Sequence, residues 1–486
     1  MSSQALRAPV LLIAVAFGGA MAALVGGYWD DAWHTERGRD AFLIAPHIAI
    51  YAGIASAGGA LALWALLAAR TRGIAAVWRH GPLALALISV GVTLASGPID
   101  NAWHVAFGRD AVIWSPPHML GIAGTFALGA ALLAELTGRP EPWAGPVAGV
   151  AGALVLASAG FAVAEYDTDV PQFDVSYYLP VLGFAAGIGL VLVRTASSAR
   201  WAATLSSVVY TLFIAAVGGF LALLDFPPPA LPLIVLAGVL VDIAARRAWT
   251  PLASATAITV ALHLAYVPTR NLLGDGVRFD AGDVVVGAAM TWVATLVVFT
   301  LAGGRTAFPT LRGPATGTAV CVLLVVMHAA PALAHDPGQG EHAGTVAMGV
   351  IVKDSRARVT VDVPPAQCAA TDARAVVGRR AGVEVRGSLV KRGCRLRGEV
   401  RLPARGRWFV YAEMRRDGRS LESWVPVSVR SGAGSASELR RYAYVPPRGS
   451  AGALKVVGGA TLYAGMLALL YAALVLVRPA PLPAAS

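Results

Sequence analysis

Trp29-Asp30-Asp31-Ala32-Trp33-His34, followed after a short polar loop by Pro46-His47, returns 70 residues later as Ile99-Asp100-Asn101-Ala102-Trp103-His104 and then Pro117-His118. Both copies carry Gly-Arg-Asp-Ala between their histidines, at Gly38–Ala41 and at Gly108–Ala111. Residues at i and i+4 share one face of a helix. Asp30 with His34, and Asp100 with His104, can therefore each offer an oxygen and a nitrogen to one ion. His47 and His118 add a second imidazole from beyond a turn.

The surrounding chain is apolar. Of its 486 residues 56% are hydrophobic and only 14% charged, with a mean hydropathy of +0.63, where a soluble chain carries more charge. Apolar runs of about 17–25 residues suit a hydrocarbon layer roughly 30 Å thick. About 12 spans are expected, near 8–28, 43–69, 81–99, 113–136, 143–164, 178–195, 201–224, 230–245, 251–268, 283–303, 316–334 and 452–477. The loops after even-numbered spans are rich in arginine (Arg70, Arg72 and Arg79; Arg139; Arg194 and Arg200; Arg246 and Arg247; Arg305 and Arg312). The positive-inside bias places them, and both termini, in the cytoplasm of an inner-membrane protein. Both copies of the motif then lie outside. A first span starting near residue 8 carries Asp30 ~33 Å along its axis, to the outer rim of the bilayer.

Residues 335–450 differ. Valine and threonine alternate with charges, and Asp417-Gly418 between two such runs is a strong hairpin signal. This segment reads as an extracytoplasmic antiparallel β-sandwich. The expected fold is mainly α: a polytopic membrane helix bundle with this domain near the C-terminus. The divisions are 1–140 (duplicated two-helix units), 141–334 (further bundle), 335–450 (β domain) and 451–486 (C-terminal anchor). Cys368 and Cys394 can pair if the domain faces an oxidising compartment, and Cys321 falls in an apolar span. The formal net charge of +11 comes nearly all from arginine, in no nucleic-acid-binding motif, so nucleic acid is not an expected partner.

Two imidazoles and a carboxylate suit copper, zinc or non-haem iron. The expected ligands are Asp30, His34 and His47, and Asp100, His104 and His118. Arg39, Asp40, Asn101, Arg109 and Asp110 stand where they can orient them. A lone Asp-x3-His is usually a helix-end ion pair; the ordered repetition is what raises it to a metal site. The interfacial tryptophans Trp33 and Trp103 read as membrane anchors. His263 and His328 fall ~18 Å into their spans, a depth at which polar groups are functional candidates: a relay or an accessory metal site, with an interhelical hydrogen bond as the alternative. His80 reads as solvated, and the acidic stretch Glu165–Asp174 as an ordinary polar loop.

The spacings Asp30-x3-His34-x12-His47 and Asp100-x3-His104-x13-His118 resemble the C subunit of the copper membrane monooxygenases, which oxidise methane, ammonia or short hydrocarbons. One copper site of that family reads Asp-x3-His-x12-His and a neighbouring one Asn-x3-His-x13-His. The likeness covers roughly the first 120 residues, and Asp100 stands where the family has Asn. It implies copper at Asp30, His34 and His47, a second site at His104 and His118, a small apolar substrate drawn from membrane lipid, and additional subunits or a homo-oligomer. After span eleven, Ala332-Leu333-Ala334-His335 reads as a cleavage pattern that would free His335 as an amino-terminal copper ligand, with His342 nearby. This resembles the family's B subunit, but its His-x-His pair is missing here. The β domain is also loosely similar to periplasmic copper-binding β-sandwich domains. The function expected is a membrane copper-site oxidoreductase or a subunit of one, with copper acquisition or transport as the alternative.

Overall fold

The structure, a computed structural model, describes residues 7–37, 42–107, 113–137, 139–171, 173–274, 277–302, 341–380, 383–403, 405–429, 435–445 and 452–477. Among these residues ten helices are long and apolar enough to cross a membrane. They include α1 (Val10–Glu36), α2 (Ala45–Arg72), α4 (Gly81–Phe107) and α5 (Pro116–Leu136), with the short α3 (Ile74–Arg79) joining the two pairs. There follow α6 (Ala144–Gly160), α7 (Ala164–Asp167), α8 (Tyr178–Ala196), α9 (Ala202–Leu223), α10 (Val235–Arg247), α11 (Pro251–Leu273) and α12 (Ala281–Ala302), and, after the β domain, a C-terminal helix Ala453–Leu476. α5 and α6 are the most enclosed. Large apolar side chains such as Leu212, Leu223, Leu264 and Val285 point outward, a surface suited to lipid rather than water.

Small residues set how closely the repeated pairs pack. A Cβ on Gly19 would lie 2.6 Å from the Gly53 carbonyl oxygen, and one on Gly53 would lie 2.6 Å from the Gly19 oxygen. Gly26 likewise faces Ile50, so α1 and α2 run antiparallel with backbones touching. In the second pair Gly121 faces Ser96 and Gly124 faces Thr93. Tyr51 reaches Gly97, and Gly58 meets Val90, which makes α2 and α4 antiparallel as well. The C-terminal ends of α1 and α4 and the N-terminal ends of α2 and α5 therefore share one end of the bundle.

One expected span comes out differently. The run 230–245 is not a continuous crossing helix: α10 has 13 residues, about 20 Å of rise. Pro227, Pro228, Pro229 and Pro232 remove backbone donors and keep the preceding stretch extended. α10 still returns alongside α9, with Gly238 against Ser207 and Ala203. Asp242, fully buried, accepts from the backbone N–H groups of Ala203 and Thr204 at the start of α9, where a helix favours a negative charge. The run 316–334, with Cys321 and His328, lies outside the described residues. His80 is not simply solvated. Its Nε2 lies 2.8 Å from Glu135, whose other oxygen accepts from the Ala8 N–H, and its ring meets Trp64 edge-on.

The β domain has eight antiparallel strands: β1 (Glu341–Lys353), β2 (Arg356–Asp362), β3 (Thr371–Arg380), β4 (Val383–Arg392), β5 (Arg395–Arg401), β6 (Gly406–Arg416), β7 (Arg419–Val429) and β8 (Ser435–Val445). The expected sandwich is instead one ring in the order β1-β2-β5-β4-β3-β6-β7-β8, closed by pairing of β8 with β1. Its thinnest join is β7–β8, a single Cα pairing of Glu422 with Tyr444. Asp417 and Gly418 both take positive φ, 49° and 77°, as a two-residue hairpin turn requires, and Arg416 pairs with Arg419 across it. Cys368, on a helical turn, is bonded to Cys394. Along β2 burial alternates strictly. Along β6 it does not: Trp408, Val410 and Ala412 enter the barrel core, while Phe409 and Tyr411 pack, with Trp424, on Val170 of the helical body. A strand covered on both faces loses the period of two.

Candidate metal centres

The last turns of α1 and the first of α2 bring Asp30, His34 and His47 together, and α4 with α5 does the same for Asp100, His104 and His118. In each triad one ligand atom per residue lies within 4.8 Å of the others. All six expected ligands are thus gathered into the two expected groups. At the first site one oxygen, Asp30 Oδ1, faces both imidazoles, 3.0 Å from His47 Nε2 and 3.4 Å from His34 Nε2. At the second the carboxylate straddles the pair, with Oδ2 3.0 Å from His104 Nε2 and Oδ1 3.2 Å from His118 Nε2.

The chemistry of the donors fits a cation. His47 Nδ1 lies 2.6 Å from the Phe42 carbonyl oxygen, which can only accept, so Nδ1 carries the proton. Nε2 is then left to face a carboxylate oxygen. A lone pair against a carboxylate needs a cation or a second proton between them. The phenol of Tyr51 packs beside His47, 6.2 Å between rings. The sites open at different residues: at the first Asp30 is the most exposed, at 16%, with His47 at 8%, whereas at the second His118 is the most exposed, at 26%.

No family model, no curated protein and no solved structure matches this chain. The site is therefore read from its own geometry.

Several other expected residues fall elsewhere. Asn101 is exposed on α4. Arg39, Asp40, Arg109, Asp110 and His335 lie outside the described residues; for His342 only the backbone, in β1 opposite Tyr444, is described. His263 turns back on its own helix, with Nδ1 2.9 Å from the Thr259 oxygen, and lies against Gly287 of α12.

The stretch Glu165–Asp169 is not an ordinary polar loop. Glu165 accepts from the Ile113 N–H at 2.8 Å, bracing the segment that leads to His118. Asp167 accepts from the Tyr178 hydroxyl. The Thr168 hydroxyl donates to the Ala164 carbonyl at 3.0 Å, beside Asp31, the neighbour of the candidate ligand Asp30. Asp169 is paired with Arg270 and accepts from the Val277 N–H at 3.0 Å. This buried acidic strut underlies both centres, and Asp31 sits within electrostatic reach of His118 and of Arg407 from the barrel. Asp31 was visible in the opening motif, but only its lack of a counterpart in the second copy, where Asn101 stands, marked it out.

The second centre is braced by the C-terminal helix. The Trp103 ring packs against Gly458 and Gly459, and the Tyr463 hydroxyl donates to the Trp114 carbonyl at 2.5 Å.

Proposed function

We propose that this chain is a membrane copper protein with two mononuclear centres, one held by Asp30, His34 and His47 and the other by Asp100, His104 and His118, acting as a monooxygenase-type oxidoreductase or a subunit of one. The observation that carries the reading is the convergence of two identical donor triads at one end of an apolar bundle. Copper at such a triad supplies a one-electron couple and a Lewis acid. The side chains of the protein hold and orient: Phe42 fixes the His47 tautomer, and the apolar helices admit a small apolar substrate from the lipid. In a monooxygenation one oxygen atom of dioxygen enters the substrate and the other leaves as water. An external two-electron reductant, from another subunit or a mobile donor, completes the balance. The arginine-rich loops and the Cys368–Cys394 bond together favour centres and barrel on the extracytoplasmic side, with both termini in the cytoplasm and the run 316–334 as a further span.

The second reading is copper acquisition or transport. The wider opening at His118 favours it. A pathway needs ligands through the membrane, however, and among the described residues the two triads at one end are the groups that can hold an ion. Purified protein should hold two coppers per chain with nitrogen-coordinated Cu(II) signals. Reductant- and oxygen-dependent oxidation of a short hydrocarbon or ammonia then supports catalysis. Copper uptake into proteoliposomes without oxidation supports transport. Copper-free protein that cannot be loaded defeats both.

A further inference from the structure

The barrel and the first centre meet through two arginines. α1 ends at Glu36, two residues beyond the ligand His34. The last carbonyls of a helix have no partner within it, and a terminal turn frays unless they find one outside. Here the Glu36 carbonyl accepts from Arg441 on β8, and the Glu36 carboxylate pairs with Arg407 on β6. Arg441 is itself fixed: it is 4% exposed, its Nε donates to the Trp424 carbonyl at 2.8 Å, and its guanidinium lies 4.0 Å over the Trp424 ring. Cations also suit the negative end of a helix dipole. Burial lowers both guanidinium groups to about 10, so both stay charged at neutral pH. On the far side of the contact Trp424, Phe409 and Tyr411 pack on Val170, two residues along the chain from Thr168. The barrel therefore holds the end of the helix that carries Asp30 and His34, and does so from positions that do not include a ligand.

We propose that Arg407 and Arg441 are positioning residues for the first centre: the barrel, docked by this clamp, fixes the last turn of α1 and so the placement of Asp30 and His34, while the second centre is set independently by the C-terminal helix. The inference rests on the metal reading of the triads. It assigns the β domain a role in tuning one of two sites that share a donor set.

The test uses the full-length protein in lipid nanodiscs, titrated with Cu(II) and followed by EPR. Each site's signal is assigned by its absence in His34→Ala or His104→Ala. Arg407→Gln/Arg441→Gln should weaken copper at the first site at least tenfold and shift its hyperfine pattern, leaving the second signal in place. Arg407→Lys/Arg441→Lys should restore part of the affinity, because charge returns without the two-pronged geometry. Gly459→Leu, crowding Trp103 and Pro116, should produce the opposite pattern. Wild-type protein that binds no copper defeats the metal reading, and the clamp with it. Copper-loaded wild type with an unmoved first signal in the Gln variant overturns the clamp alone. Equal loss at both sites in the Gln and Lys variants also overturns it, since the barrel would then support the whole bundle.

Discussion

The two centres share a donor set and differ in everything around it. At the first, one carboxylate oxygen serves both imidazoles, the histidines are enclosed, and the roof is a charged clamp from a soluble domain. At the second, the carboxylate spreads its two oxygens, one imidazole opens outward, and the brace is an apolar helix crossing. A duplication that repeats ligands need not repeat reactivity. The ligands choose the class of metal; enclosure and the orientation of the carboxylate decide how freely that metal exchanges and what reaches it.

The largest expected effect tests whether there are two centres at all. His34→Ala and His104→Ala should each remove one of two metals per chain, and the double variant should remove both, as read by elemental analysis beside EPR. Removal of both metals by either single variant would merge the triads into one cooperative unit. Next in size, Gly19→Leu should separate α1 from α2, costing about 1–3 kcal/mol of stability through overpacking. It should abolish copper at the first centre while the second still titrates.

The carboxylates offer a finer test. An Asn at position 30 can keep its single oxygen where both imidazoles meet it, losing only charge. An Asn at position 100 must set an amide nitrogen against one imidazole. Asp30→Asn should therefore weaken its site by about tenfold, or about 1.4 kcal/mol, and Asp100→Asn should weaken its own by more, in isothermal titrations. The reverse order would favour the likeness to a family with Asn at the second site over the geometry seen here.

A last test, read in stability rather than in copper, belongs to the domain that roofs the first centre. Burial raises the Glu422 carboxyl to about 7, and nearby Arg379 only partly offsets it. The folded barrel thus binds this proton more tightly than the unfolded chain does. Its contribution is present below about pH 4.5 and lost as pH rises through 7, a change on the order of 3 kcal/mol. The barrel's melting temperature should fall over that window, and Glu422→Gln should flatten the dependence. A slope unchanged in the variant would place the titration elsewhere.

Much of this was legible in the chain because it is local. Asp30–His34 and Asp100–His104 need only helical periodicity, and repetition gave the pairs their weight. The hairpin at Asp417-Gly418 needs only two residues. The prolines between Pro227 and Pro232 could have warned that 230–245 would not be a continuous helix, but hydropathy is blind to a missing backbone donor. What escaped depends on distant partners. Arg270 meets Asp169 across 101 residues, and Arg441 meets Glu36 across 405; no window of sequence contains both ends. Barrel and sandwich write the same alternation into their strands. Only the pairing of β8 with β1 tells them apart.

The aromatic face that the barrel turns toward the helices has a consequence for handling the domain alone. Phe409, Tyr411 and Trp424 pack together with Val170 of the helical body. Severed from the helices, the barrel would bare these three large side chains side by side. Such a patch draws in other apolar surfaces, so the excised domain should self-associate, where the intact protein keeps that face covered.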